Sequence, residues 1–229
     1  MSESHPLSVG KNHHVSTLLD RPEDAWVLLV LAHGAGAGMR HPSLSKLANA
    51  LGSAGVATLR YHFPYMEQGG GRPDPPALLH ATVRAAVAAG RDLAPDLPLF
   101  AGGRSMGGRM TSGAAAEEAL SGVHGIAFFG FPLHPPGRPS TGRADHLERV
   151  MVPLLFLQGT RDDFANLDLL RPIIDQLGAR ATLHVVEGAD HSFHVLKRSG
   201  RTDADVMQEL VDAFAEWAGR VVNRGIRQQ

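Results

Sequence analysis

Residues 99–108 read Leu-Phe-Ala-Gly-Gly-Arg-Ser-Met-Gly-Gly. An apolar, strand-like segment over 97–102 runs into Gly103-Arg104-Ser105-Met106-Gly107, and a helical pattern follows over 106–120. A serine at such a junction sits on a tight strand-to-helix turn that lifts its hydroxyl above the sheet. Glycines two residues to either side let strand and helix pack without a clashing Cβ. The helix that begins there adds the positive end of its dipole, which favours a developing oxyanion. Glycine is common in this chain, so the pentapeptide alone is weak; the strand before it and the helix after it give it weight.

The same rhythm continues outward in both directions. Upstream, the aliphatic run Ala25–His33 reads as a strand covered on both faces. A glycine-rich loop over Gly34–Gly38 follows it, then a helix over 42–53, a strand over 56–61, a Gly/Pro-dense loop over 63–76 and a helix over 76–93. Downstream, strands are expected over 125–130, 154–158 and 181–187, with helices over 144–150, 166–177 and 202–222. Strands alternating with helices call for a parallel sheet wrapped on both faces, with right-handed crossovers. With no internal repeat or low-complexity linker, residues 1–229 are expected to form one domain, with 1–12 a flexible lead-in. His14–Leu18 is a weaker strand candidate that would make a hairpin before residue 25.

A serine hydroxyl needs a base. In this topology the acid and then the base come later, each after a strand. The strand over 154–158 leads into Gly159-Thr160-Arg161-Asp162-Asp163, and that over 181–187 into Gly188-Ala189-Asp190-His191-Ser192. Ser105, Asp162 and His191 are therefore the candidate nucleophile, orienting acid and general base, and activity should rise with pH as His191 becomes neutral. Asp163 is a rival one residue away, able instead to cap the segment after it. Asp190 adjoins His191 and would have to curl back onto its neighbour's ring. The expected oxyanion donors are the backbone N–H groups of Met106 and of Ala35, the latter in the small-residue loop His33–Gly38.

Composition narrows the alternatives. Of 229 residues, 43% are hydrophobic and 20% charged, with a net charge of −1 and no cysteine. Disulfides, thiolate metal sites and a cysteine nucleophile are excluded. No basic excess marks a nucleic-acid surface. The longest apolar run, around Trp26–Ala32, falls far short of the roughly 20 residues that span a bilayer. The N-terminus lacks the basic start and apolar core of a secretory signal, so a cytoplasmic protein is expected. His194 shares a segment with Asp190 and His191, yet no second ligand cluster accompanies it, and neither a Walker loop nor G-x-G-x-x-G is present. No metal or cofactor is expected, and a small acyl compound is the expected partner.

Six segments, HGAGAGMRHP, RYHFPYME, GRSMGGRM, FPLHPPGRP, LQGTRDDF and GADHSF, carry a resemblance to the α/β-hydrolase superfamily that extends over nearly the whole chain. More narrowly the chain resembles a group of small bacterial, dienelactone-hydrolase-like proteins, which includes the animal testis-expressed hydrolase-like proteins and a subunit of the NSL chromatin complex. The resemblance implies an α/β-hydrolase fold: a mainly parallel, twisted sheet of about eight strands, with Ser105, Asp162 and His191 as triad. Dienelactone hydrolases themselves carry cysteine where this chain has Ser105.

The segment Phe131–Ala144 is too short for a helical lid, so an open site is expected. Met39, Phe63, Tyr65, Met66 and Leu133 are candidates for its lining, core packing being the alternative for several. Arg40 and Arg104 are candidates for a substrate carboxylate, the alternative for Arg104 being an ion pair beneath the turn. The expected activity is hydrolysis of a small soluble ester or thioester through an acyl-enzyme. A non-catalytic interaction scaffold and acyl transfer to an acceptor other than water are the competing functions.

Overall fold

A strand buried on both faces needs apolar residues at every position, and β3 (Val27–Ala32) has them: all six side chains are inaccessible or nearly so. Alternate residues feed different cores. Leu28, Val30 and Ala32 join one apolar cluster, while Val27, Leu29 and Leu31 join the other. The computed structural model describes residues 2–226, and in it β3 pairs in parallel with both β4 (Val56–Tyr61) and β5 (Leu99–Arg104). Beyond β5 the parallel sheet continues through β6 (Val123–Phe129), β7 (Leu154–Gly159) and β8 (Ala181–Val186).

Two antiparallel strands complete the other edge, β1 (Ser2–Val9) and β2 (His13–Asp20), and the order across the eight-stranded sheet is β1-β2-β4-β3-β5-β6-β7-β8. This corrects the reading of the first dozen residues as a flexible lead-in; Met1 lies outside the described residues. Ser2–Val9 is mostly polar because it is an edge strand with one wet face: only Leu7 and Val9 are buried. Pro6, which cannot donate to a ladder, is tolerated at such an edge.

The helices divide between the two faces. α1 (Pro42–Ser53) and α6 (Asp203–Ile226) cover one, placing Leu44, Leu47 and Leu51 with Val206, Leu210 and Phe214 in a single cluster. α3 (Pro76–Leu93), α4 (Met106–Glu117) and α5 (Leu167–Leu177) cover the other. The Gly/Pro-dense loop after β4 contains one short helix, α2 (Pro64–Glu67). After β6 come an irregular stretch and a single 3₁₀ helix, Gly142–Arg149, with no helical insertion over the sheet edge. Among the described residues, no helix is long and apolar enough to cross a membrane. The chief consequence of the topology is that β3, β5, β7 and β8 all end at the same edge, so the loops after them converge there.

Candidate active site

The turn between β5 and α4 is forced into an uncommon backbone state. Ser105 has φ 50° and ψ −119°, a positive φ that a non-glycine residue adopts only under constraint. The constraint is close packing: a Cβ on Gly103 would lie 2.6 Å from the Ala32 carbonyl oxygen, and one on Gly107 would lie 2.5 Å from that of His33. The Ser105 N–H donates to the Phe129 carbonyl (3.2 Å), pinning the turn to β6.

His191 Nε2 lies 2.8 Å from Ser105 Oγ, and His191 Nδ1 lies 2.8 Å from Asp162 Oδ2. The Asp162 side chain is only 1% exposed, against 18% for His191, so the carboxylate is sealed while the ring edge stays reachable. Two further donors converge on Asp162: the Phe164 N–H on Oδ1 (2.7 Å) and the Gln158 side-chain amide on Oδ2. An ionised carboxylate only accepts, so Nδ1 carries the imidazole proton and Nε2 is left to accept from the serine hydroxyl. Phe164 also lays its ring against His191, centroids 4.3 Å apart.

Asp163, the rival acid, is exposed and takes no part in this chain of hydrogen bonds. Asp190 instead shapes the loop that carries His191, its Oδ1 accepting from the N–H groups of Ser192 (2.7 Å) and His194 (3.0 Å). His194 pairs with Asp203 at 2.9 Å, which holds its imidazole above the usual range. Among the described residues, no three His, Asp or Glu side chains gather closely enough to hold a metal ion.

The loop after β3 closes the opposite wall. Gly34 sits against the Ser105 turn, where a Cβ would lie 3.7 Å from Ser105 Cβ, and Ala35 lines the same cavity as Ser105. His33 fixes this loop from beneath. It is fully buried, its Nδ1 lies 2.8 Å from the Gly34 carbonyl, and its Nε2 accepts from the Phe63 N–H (3.0 Å). Burial pulls its pKa down to about 4, so the ring is a neutral clamp at physiological pH. Met106 opens α4, and its N–H has no acceptor within the helix.

Several expected lining residues lie elsewhere. Met39, Phe63, Tyr65 and Leu133 are buried in the interior, and none lines the Ser105 cavity. Phe63, for example, packs edge-on against His33 and Tyr61. Met66 is half-buried against the same core, and Arg40 is exposed and does not line the cleft. These positions are apolar because the loops after β3, β4 and β6 must themselves be anchored. Arg104 does reach the cleft, but without the expected acidic partner: it donates to the His191 carbonyl (2.9 Å) and stacks over the Phe193 ring at 5.3 Å. Burial lowers its pKa, while Asp162 and Asp190 pull it back up.

The actual walls are His41 and Ser43 at the start of α1, Phe164, and Ser192, around a cavity of about 290 Å³. Gln158, Phe164, His33 and His41 are site residues that sequence reasoning does not reach. A glutamine ending the apolar run Leu154–Leu157 is the one local signal available.

Comparison with known proteins agrees with this architecture. Residues 25–219 match the model of the alpha/beta hydrolase domain family, and the chain belongs to that family. Among solved structures it is similar to a dienelactone hydrolase from Anabaena variabilis, with 22% identity over 94% of this chain and 97% of that one (TM-score 0.72). It is also similar to an alpha-beta serine hydrolase homologue from Coxiella burnetii, with 21% identity over 92% and 96% of the two chains (TM-score 0.73). A serine hydrolase from Xanthomonas campestris described as lacking a lid shares 22% identity over 94% of each chain (TM-score 0.73).

Proposed function

We propose that the protein is a cofactor-independent serine hydrolase that cleaves a small soluble ester or thioester through an acyl-enzyme. The observation that carries this reading is the continuous hydrogen-bonded line Ser105–His191–Asp162, open to solvent at the serine and sealed at the aspartate. In the first half-reaction, Ser105 Oγ bonds to the substrate carbonyl carbon as its proton passes to His191 Nε2. The carbonyl π pair moves onto oxygen, between the N–H groups of Met106 and Ala35. The bond to the leaving group then breaks, and His191 returns the proton to the departing oxygen or sulfur. Water repeats the cycle on the acyl-enzyme and releases the acid. Asp162 holds the Nδ1–H tautomer and offsets the imidazolium charge as it forms, with Gln158 and the Phe164 N–H fixing its own orientation.

A fluorophosphonate probe tests this directly. It is expected to label the protein at Ser105 and to leave the Ser105→Ala variant unlabelled. An intact, folded protein that refuses the probe would overturn the reading.

A further inference from the structure

Beside the Ser105 cleft lies a second and larger cavity of about 650 Å³, within the range of about 300–1,000 Å³ typical of small-molecule sites. Its walls are mainly apolar: Leu47 of α1, Phe193 of the His191 loop, and Met207 and Leu210 of α6. The two cavities share His41, Ser43, Arg104 and Ser192 in their walls, so they lie side by side.

Two cations around the annex, Lys46 and Arg104, have no carboxylate within ion-pair distance among the described residues, although Asp162 and Asp190 act on Arg104 from farther off. His194 and Asp203 are hydrogen-bonded to one another at 2.9 Å. Lys46 lines the annex but not the cleft, and among the described residues it forms no ion pair, although it lies near enough to Asp203 to help depress that carboxyl. Among the described residues, the Arg104 guanidinium makes a single hydrogen bond, to a backbone carbonyl rather than to a carboxylate. Two cations thus border an apolar hollow that adjoins the Ser105 cleft.

We infer that the annex holds one limb of the substrate: an apolar limb of medium chain length that ends in a carboxylate. The inference rests on the serine-hydrolase reading and narrows it to a substrate class. The apolar walls take the methylenes, and Lys46 meets the anionic end.

The test compares three acyl esters, p-nitrophenyl acetate, p-nitrophenyl octanoate and the mono-p-nitrophenyl ester of octanedioic acid. A parallel series varies the alcohol half, with methyl acetate, octyl acetate and 8-acetoxyoctanoate. In one of the two series, kcat/KM is expected to rise about three- to fourfold per methylene over the first few. The carboxylate-ended member should exceed its neutral counterpart by about a further two- to fivefold, an advantage that shrinks in high salt and disappears in Lys46→Gln. Met207→Trp, which fills the annex, should lower the ratio of long-limb to acetyl turnover by about tenfold or more.

Binding of octanedioate to Ser105→Ala, followed calorimetrically and compared with Lys46→Gln in the same background, reads the annex without catalysis. Turnover with no preference for limb length or carboxylate in either series overturns the annex and leaves the hydrolase standing. Lys46-dependent binding in a protein that resists fluorophosphonate does the reverse.

Discussion

Among the described residues, two serine hydroxyls lie against an imidazole Nε2 at nearly equal distances, and the two pairs differ in what stands behind the ring. Ser105 Oγ and His191 Nε2 are 2.8 Å apart; Ser112 Oγ and His146 Nε2 are 2.7 Å apart. The second pair lies between α4 and the 3₁₀ helix, with Ser112 fully buried and its hydroxyl also within reach of the Arg109 carbonyl (3.1 Å). Among the described residues, no carboxylate is hydrogen-bonded to His146. Burial, together with Arg109 and Arg149, instead drives its pKa down to about 4. A proton taken from Ser112 would meet positive charge, whereas one taken from Ser105 meets the Asp162 carboxylate. The distance between hydroxyl and imidazole is thus a poor signature of a nucleophile. The group behind the imidazole and the exposure of the hydroxyl make the distinction.

The sharpest way to break this contrast is to delete each hydroxyl in turn. Ser105→Ala is expected to lower ester turnover by about 10⁶ and to abolish fluorophosphonate labelling. Ser112→Ala should change turnover by less than about threefold, with any loss appearing in thermal stability. Mass spectrometry of the labelled peptide reports which serine reacted. Labelling at Ser112 would erase the distinction.

The next effect concerns the acid behind His191. Asp162→Asn keeps the shape but offers Nδ1 an amide able to present an N–H, which favours the wrong tautomer, and turnover should fall by about 10⁴. Asp163→Asn, one residue along and exposed, should leave turnover within about twofold of wild type. Comparable losses in the two variants would show that charge near the loop, rather than a directed hydrogen bond, is what His191 needs.

These residues are legible in sequence because each follows an apolar strand, and a parallel sheet delivers the ends of such strands to one edge. Ser105, Asp162 and His191 stand just past β5, β7 and β8 for that reason. The walls of the cleft are not legible. Met39, Phe63, Tyr65 and Leu133 look like lining in sequence because they are apolar and lie in loops at the right edge, yet they point inward to anchor those loops. The real walls include His41 and Ser43, polar residues at a helix start, and the annex is closed by Met207 on α6, about a hundred residues past Ser105. That juxtaposition depends on α1 and α6 packing on the same face, which no local pattern encodes. β1 escapes sequence reasoning for a related reason: an edge strand with one wet face lacks the aliphatic signature of a central one.

The smallest expected effect concerns the buried imidazole of the second pair, His146, and its response to acid. His146 and His33 are each held near a pKa of about 4 in the folded protein, against an ordinary value of 6.5. A depressed imidazole contributes stability that is fully present above the unfolded pKa and is lost as pH falls toward the folded one, because the unfolded chain then binds protons that the folded chain refuses. Tm should therefore decline from pH 7 to pH 5, above the range in which most carboxylates titrate. His194, raised by Asp203 at the surface, works in the opposite direction and offsets part of the decline. His146→Gln removes one of the two depressed rings while keeping a polar partner for Ser112. It should shrink the Tm drop by about 2–4 °C, which corresponds to roughly 1 kcal/mol in a chain of this size for a half-buried group. An unchanged acid slope in His146→Gln would mean that His146 is not held neutral by its surroundings, and the Ser112 pair would then have to be reconsidered as a second base-activated hydroxyl.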